Sequence, residues 1–241
     1  MKINTNSNKY IIIYSGVMVV IVAFVLAFVY QSLKSLQDAN VALDKKKQIL
    51  AALNIRDLTD EQAAARYAEV VEADRVVDAN GHVLVSGTPG GEQAAFAMNS
   101  IPADKSRLPI YLCKVDGKRK YVVPVYGMGL WGTIWGYVAV NEDMKTIYGA
   151  YFDHASETAG LGAEIKDSRA WQEQFAGKRI YDDDNAKVVL AVKKKSEVKD
   201  TTCECDGVTG ATLTSDGVGK MLESGLLLYI PFFQQECSQT E

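Results

Sequence analysis

A run of twenty-one uncharged residues, from Tyr10 to Tyr30, constrains this chain more than any other feature. As a helix that rises about 1.5 Å per residue, the run is long enough to cross roughly 30 Å of hydrocarbon. Tyrosine at each end suits the two headgroup regions of a bilayer. The sequence therefore predicts one membrane-spanning helix over residues 10–30, preceded by a cytoplasmic tail of residues 1–9.

A cleaved signal peptide is the alternative for this run. The run exceeds the usual apolar region of about 7–15 residues, and bulky Phe28, Val29 and Tyr30 stand where small residues would mark a cleavage site. Short N-terminal tails usually stay in the cytoplasm, and a long following domain crosses largely regardless of its charge. We therefore expect an uncleaved anchor with the main domain outside the cytoplasmic membrane.

The rest of the chain has the composition of a globular domain. Its 241 residues are 48% hydrophobic and 23% charged, which excludes a disordered, collagen-like or disulfide-dense chain. Beyond residue 30 there are 24 basic and 30 acidic side chains, a balance unsuited to nucleic acid. We expect a helical stalk over residues 31–56 and a single domain over residues 57–241.

The order of elements in that domain predicts an α+β fold with an antiparallel sheet. Thr59 to Gln62 fits a capping box for a helix that reaches about Glu72. Asn80-Gly81 and Asp116-Gly117 each separate two β-branched runs and predict two hairpins. Further elements are expected as follows: strands at 134–141 and 187–194, and helices at 168–176 and after Thr214. The apolar segment 225–233 is expected in the core, with contact to the membrane or a partner subunit as the alternative.

Three glycine-rich stretches are the candidates for a ligand-binding site. Residues 127–139 combine four glycines with three large aromatic residues, which fits a planar ligand near Trp131 or a bulged strand whose Trp131 and Trp135 fill the core. Residues 154–164 place Glu157 and Thr158 before a Gly-Leu-Gly loop, which fits a polar heterocycle edge or a solvated turn. Each pattern alone leaves both interpretations open.

The third stretch, residues 206–215, precedes an amphipathic helix. Hydroxyl groups and free backbone N–H groups at a helix N-terminus form a phosphate site, and they equally suit an ordinary helix start with Thr214 or Ser215 as N-cap. Within it, Asp206-x-x-Thr209-Gly-Ala-Thr212 matches the D-x-x-[ST]-G-A-T signature on which a flavin transferase attaches FMN through a phosphoester to the final threonine.

Four other sequence features accompany this signature in a particular order. The membrane span, the GLWG segment (129–132), the ETxGLG loop (157–162), the acceptor motif and a terminal helix follow one another along the chain. The layout covers essentially all residues and resembles the C subunits of sodium-translocating NADH:quinone oxidoreductases, with the G subunits of Rnf complexes as close relatives. The resemblance implies a bacterial inner-membrane protein, crossing once, with its domain on the periplasmic side.

The resemblance also implies which residues hold the flavin. Thr212 would be esterified to FMN, Asp206 would be read by the transferase, and Thr209 and Gly210 would shape the turn. The other residues expected around the cofactor are Ala211, Thr214, Ser215, Leu130, Trp131, Glu157, Thr158, Leu161 and Gly162. Two positions depart from the family pattern: Thr209 replaces the commoner serine, and Ala159 replaces a proline, which frees the loop backbone.

Other kinds of site find little support in the sequence. His82 and His154 lack metal-binding spacing, and Cys203-x-Cys205 offers two ligands where a cluster needs four, so no metal site is predicted. Whether any of the four cysteines pair is left open. The sequence contains no G-x-G-x-x-G fingerprint, P-loop or catalytic triad, so we expect neither NADH binding nor a catalytic residue on this chain.

We therefore expect an electron-relay subunit of a translocase that passes electrons from NADH to quinone and exports sodium. Its partners would be the other membrane subunits of the pump and, during maturation, the flavin transferase. An Rnf-type subunit is the first alternative. A membrane-tethered binding or assembly module without cofactor, and a reductase with its own small substrate, are alternatives of other classes, although the sequence offers the reductase no evident acid or base.

Overall fold

The computed structural model describes residues 7–98, 106–182 and 187–240, and the chain divides into two units, residues 1–45 and 46–241. Helix α1 (Asn8–Ala52) contains the whole predicted span, while residues 1–6 of the predicted tail lie outside the described residues. Every residue from 11 to 40 is exposed, so the apolar side chains of the span surround the helix. Among the described residues, α1 is the one helix long and apolar enough to cross a membrane.

The second unit begins with the last residues of α1, which are buried. Residues 49–53 have less than a tenth of their surface exposed, and the Asn54 side chain donates a hydrogen bond to the Tyr148 carbonyl at 3.2 Å. The end of the segment predicted as a stalk therefore packs into the domain. Helix α2 (Asp60–Val70) follows, and its predicted capping box is confirmed because Thr59 and Gln62 exchange both hydrogen bonds.

A six-stranded antiparallel sheet forms the centre of the unit, in the order β2-β1-β3-β4-β5-β6. Both predicted hairpins are confirmed: Asn80-Gly81 lies between β1 and β2, and Asp116-Gly117 joins β3 to β4. The strands are β1 (Val71–Val77), β2 (Val83–Val85), β3 (Leu108–Val115), β4 (Lys118–Met128), β5 (Thr133–Asn141) and β6 (Ile147–His154). The longest pairing joins β4 to β5 and ends at Met128 and Thr133, beside the turn that carries the GLWG segment.

The chain beyond the sheet consists of short elements and two C-terminal helices. These elements are α3 (Glu164–Asp167), α4 (Arg169–Glu173), β7 (Tyr181–Asp182), β8 (Lys187–Val188), β9 (Ala191–Lys193), a 3₁₀ turn (Lys195–Glu197), β10 (Glu204–Asp206), α5 (Thr212–Leu227) and α6 (Ile230–Thr240). Strand β9 pairs with β10 in parallel, whereas β8 pairs with β7. The strand predicted over 187–194 is therefore two strands, because the chain changes partners between them.

Helices α5 and α6 cover one face of the sheet. Along β4, Tyr121, Val123 and Val125 join the same buried cluster as Leu222 and Leu226 of α5. The apolar segment 225–233 contributes Phe232 and Phe233, both at most 1% exposed, which confirms its predicted place in the core. The predicted helix over 168–176 is shorter than expected, because Ser168 caps α4 and the helix ends at Glu173.

All four cysteines are free thiols. Cys203 directly precedes β10 and Cys205 lies within it, and a bridge between residues at this spacing would close a strained small ring. Burial raises the pKa of the Cys205 thiol to about 12. The cysteines therefore form no disulfide beside the D-x-x-[ST]-G-A-T motif.

Candidate functional site

Three loops meet at the N-terminal end of α5. They are the turn between β4 and β5, the loop between β6 and α3, and the segment between β10 and α5, and together they contain the three glycine-rich stretches. The antiparallel pairing places β4 and β6 on opposite edges of β5, and both strands finish beside the start of β5. Residues far apart in the sequence thus come together in one place.

The β4–β5 turn presents an aromatic side chain to solvent. The Gly129 N–H donates to the Gly132 carbonyl at 2.8 Å, which closes the turn. Trp131, within this turn, is 66% exposed, so the interpretation in which Trp131 fills the core is wrong. Trp135 belongs to β5 instead, where its indole N–H donates to the Gln48 side chain at 3.2 Å.

Glu157 joins two of the loops to α5. One carboxylate oxygen accepts the backbone N–H of Trp131 at 2.8 Å, and the other accepts the Thr214 hydroxyl at 2.6 Å. The side chain is buried, with 8% of its surface exposed. Glu157 therefore fixes the aromatic turn against the first turn of α5, while its contact with a flavin stays a prediction.

Glycine makes this arrangement possible on both sides of Glu157. A Cβ atom on Gly129 would lie 2.5 Å from one Glu157 oxygen, and a Cβ atom on Gly162 would lie 2.6 Å from the Thr214 hydroxyl oxygen. Both distances are shorter than a carbon atom tolerates. The loop also closes without the proline that Ala159 replaces, since the Thr158 carbonyl accepts the N–H groups of Leu161 and Ala163.

The start of α5 differs from the prediction. The helix begins at Thr212 with Ala211 as N-cap, and no side chain caps it. Thr214 and Ser215 are therefore inside the first turn rather than at the N-cap. Both hydroxyls have other partners: Thr214 donates to Glu157, while Ser215 accepts the Val208 N–H and donates to the Ala211 carbonyl, each at 2.9 Å.

One cavity of about 380 Å³, here named the ring cavity, lies between the three loops. Four of its side chains are large, apolar and exposed, namely Leu130, Trp131, Leu161 and Leu213. The rest of its lining is Glu157, Thr158, Gly162, Gly210, Ala211, Thr212 and Thr214. Exposed apolar side chains gathered around one cavity are typical of a surface that a ligand covers.

A second cavity of about 490 Å³, here named the lysine cavity, lies on the other side of Thr212. It is lined by Lys193, Lys194, Lys195, Ser196, Gly207, Val208, Thr209, Gly210, Thr212, Ser215 and Asp216. The exposed Thr212 side chain and Gly210 belong to both cavities. The acceptor motif therefore separates an apolar space from a basic one.

The structure brings twelve of the thirteen predicted site residues to these two cavities, and Asp206 to neither. The Asp206 backbone is held firmly, because its carbonyl accepts the Trp171 indole N–H at 2.7 Å and its N–H donates to the Gln174 side chain at 2.7 Å. Among the described residues, its carboxylate forms no hydrogen bond. This carboxylate is half-buried and available to another molecule.

Some lining residues were not predicted from the sequence. Leu213 faces the ring cavity, and Lys193 to Lys195 face the lysine cavity. The run of three lysines is the one signal in the sequence, and only the fold places it beside a motif that begins eleven residues later. The pair of cavities fits FMN: the apolar one suits a planar ring, the basic one suits a phosphoryl group, and Thr212 offers a hydroxyl between them.

Comparison with known proteins agrees with this geometry. Residues 129–226 match the model of the FMN-binding domain family. The C subunit of the Na(+)-translocating NADH-quinone reductase of Yersinia pestis is 30% identical over 84% of this chain and 82% of its own length, and that of Pasteurella multocida is 34% identical over 77% of each.

Two solved structures have the same fold. The C subunit of the Na(+)-translocating NADH-quinone reductase from Parabacteroides distasonis superimposes with a TM-score of 0.75 at 36% identity, covering 83% of this chain and 96% of that one. The corresponding Shewanella oneidensis protein gives a TM-score of 0.66 at 26% identity, covering 83% and 99%. With the motifs, the cavities and these relatives in agreement, the chain belongs to the family of C subunits of the Na(+)-translocating NADH-quinone reductases.

Proposed function

We propose that this chain is the FMN-carrying subunit that relays electrons within a sodium-translocating NADH-quinone reductase. The observation that carries the proposal is the exposed Thr212 side chain between an apolar cavity and a basic one, inside the segment that matches the FMN-binding family. When bound, FMN supplies electron transfer through its isoalloxazine ring. The relatives from Yersinia pestis and Parabacteroides distasonis favour this complex over the Rnf type, since both are C subunits.

The residues of the site position a cofactor rather than transform a substrate. Leu130, Trp131 and Leu161 supply apolar surface to a ring, and the hydrogen bonds of Glu157 hold Trp131 and α5 at a constant separation. An electron carrier needs such rigidity because small displacements of a redox centre change its environment. The partners that this role requires are the other redox subunits of the pump.

We propose further that Thr212 carries FMN through a phosphoester formed by a flavin transferase. Its side chain is exposed, and it forms no hydrogen bond among the described residues, so an external enzyme can reach it. The half-buried Asp206 carboxylate gives that enzyme a group to recognise beside the motif. The threonine oxygen would displace the leaving group from the phosphorus of an activated flavin nucleotide, and the leaving group would depart with the threonine proton. The chain then gains the mass of FMN less one water.

The membrane arrangement is also part of the proposal. Helix α1 anchors the chain in the bacterial inner membrane through residues 10–30, and the domain lies on the periplasmic side. The exposed apolar surface of the span supports this arrangement, since lipid would cover it. A covalent link suits such a domain because the cofactor then cannot diffuse away.

The test is intact mass with in-gel flavin fluorescence on denatured full-length protein, coexpressed with an active flavin transferase. We expect the wild type to gain the mass of FMN less one water, and Thr212→Ala to lose both the mass and the fluorescence. Thr201→Ala, an exposed threonine in a loop outside both cavities, serves as the matched control and should keep the flavin.

Two results would contradict the proposal. A wild-type chain without flavin under these conditions would remove the electron-carrier role and favour the cofactor-free binding module. Flavin retained on Thr212→Ala would move the attachment to another residue.

A further inference from the structure

The two cavities beside Thr212 differ in charge, and a bound nucleotide has one charged end. The charged side chain in the lining of the ring cavity is Glu157, a carboxylate. The lining of the lysine cavity contains Lys193, Lys194 and Lys195 against one carboxylate, Asp216. A phosphoryl group is repelled by the first lining and attracted by the second.

The lysines are not equivalent. The Lys193 ammonium pairs with Glu204, and this pairing raises the pKa of Lys193. Lys194 lies 3.9 Å from Glu197, and both side chains are about 60% exposed. Lys195 forms no ion pair with any residue that the structure describes. The positive charges of Lys194 and Lys195 are therefore available to bind an anion, whereas Lys193 stabilises the fold through its pair with Glu204.

A carboxylate holds the lysine segment in position. Glu204 accepts the Lys193 ammonium and also the backbone N–H groups of Lys199 and Asp200, at 2.6 and 3.0 Å. Strand β9, the segment that follows the 3₁₀ turn and strand β10 are thereby joined around one side chain. The lysine cavity is thus built by the fold, although the ammonium groups are at its surface.

The backbone also favours an anion at Thr212, which lines both cavities. Helix α5 starts there without a side-chain cap, in contrast to α2, which Thr59 caps. Its first N–H groups are accordingly free to meet an anion, and the partial positive charge of a sixteen-residue helix adds to that of the lysines.

We infer that the lysine cavity is the phosphoryl subsite, in which Lys194 and Lys195 compensate the charge of the phosphoester at Thr212 while the ring extends into the ring cavity. The inference rests on the proposed function and adds to it a direction for the ligand and two residues that bind it. The ligand class is a phosphoryl group attached to a planar heterocycle, and this group carries one negative charge once it is esterified to Thr212.

The experiment compares three full-length proteins coexpressed with the transferase: wild type, Lys194→Gln/Lys195→Gln, and the control Lys114→Gln/Lys118→Gln. The control removes two lysines that are also exposed, from the β3–β4 hairpin. The ³¹P NMR resonance of the attached phosphodiester is recorded at low and high salt, and the initial rate of flavin attachment is measured in gel.

We expect the Lys194/Lys195 variant to move the ³¹P resonance towards that of a free phosphodiester and to abolish its salt dependence. We expect its attachment rate to fall about three- to tenfold, as two exposed ion pairs allow. The control should match the wild type in both readouts.

An unchanged ³¹P resonance would overturn the inference. If attachment nevertheless slowed, the lysines would contact the transferase instead of the phosphoryl group. Absence of flavin from the wild type would be a different failure, since it would remove the proposed function itself, whereas equal loading with an unchanged resonance removes only the subsite.

Discussion

The two sides of the N-terminal half of α5 are built in opposite ways. On the side of β4, backbone atoms of helix and strand approach so closely that glycine is required, and Glu157 is buried between them. On the side of β9, the contacts are looser and the charged side chains of the lysine segment remain exposed. One helix therefore has a rigid side and an adaptable side, with Thr212 between them.

The difference suits the proposed attachment at Thr212, where one residue would lie between the two parts of a ligand. Close packing fixes the wall against which a ring would rest, because a buried hydrogen-bonded carboxylate tolerates little movement. Exposed ammonium groups adapt to an anion, because their side chains are flexible and hydrated. Three changes in the chain would test this contrast.

The largest effect is expected from glycine replacement in α5. A Cβ atom on Gly217 would overlap the Met128 carbonyl oxygen, whereas one on Gly219 would meet its nearest atom, the Val192 carbonyl oxygen, at 3.6 Å. We expect Gly217→Ala to lower the free energy of unfolding by about 1–3 kcal/mol. Gly219→Ala should leave it unchanged or raise it by up to about 1 kcal/mol, since alanine favours the helix. Thermal unfolding of the full chain in detergent measures both.

If both variants lowered the free energy of unfolding, or both raised it, the contrast between the two sides of α5 would be contradicted. In particular, a Gly217→Ala protein as stable as the wild type would mean that α5 is not in close contact with β4.

The next effect concerns Glu157. Glutamine can accept only one of the two hydrogen bonds that the carboxylate accepts, so we expect Glu157→Gln to lower the free energy of unfolding by about 1–2 kcal/mol. Removal of a negative charge beside a flavin also favours its anionic reduced form. The midpoint potential of the loaded chain should therefore rise, on the order of tens of millivolts, in a potentiometric titration.

Glu173→Gln is the matched control for that charge, since Glu173 lies on α4 and pairs only with exposed Arg169 among the residues that the structure describes. It should change neither stability nor potential. An unchanged potential in Glu157→Gln would remove the electrostatic role and leave Glu157 as a structural clamp.

The smallest effect is expected on the lysine side, at Glu204. The Lys193 ammonium, helped by the backbone N–H groups of Lys199 and Asp200, lowers the pKa of Glu204 from 4.5 to about 2. Because the pKa is lower in the folded state, the carboxylate stabilises the fold fully above about pH 4.5, and this contribution is lost as the pH falls towards 2. The wild type should lose more stability than Glu204→Gln over this interval.

Chemical denaturation at a series of pH values measures the difference, with Glu223→Gln on the exposed side of α5 as the control. If the free energy of unfolding fell equally with pH in wild type and Glu204→Gln, Glu204 would not hold the lysine segment.

Many of the helices and turns of this molecule could be predicted from local sequence patterns. The capping box at Thr59, the hairpin turns at Gly81 and Gly117 and the apolar span depend on interactions within a few residues, and the structure has all of them. The start of α5 could not be predicted in the same way. Thr214 and Ser215 are good N-cap residues by type, but Glu157 and Val208 engage their hydroxyls instead.

The sequence by itself determined the long apolar helix, the antiparallel sheet and the position of the D-x-x-[ST]-G-A-T motif, because hydrophobic length, residue alternation and turn chemistry are local properties. The tertiary structure alone decided that Trp131 is exposed, that Glu157 joins two loops to α5, and that three lysines face the threonine. These features depend on contacts between residues distant in the chain, and packing, rather than the preference of any one residue, selects them.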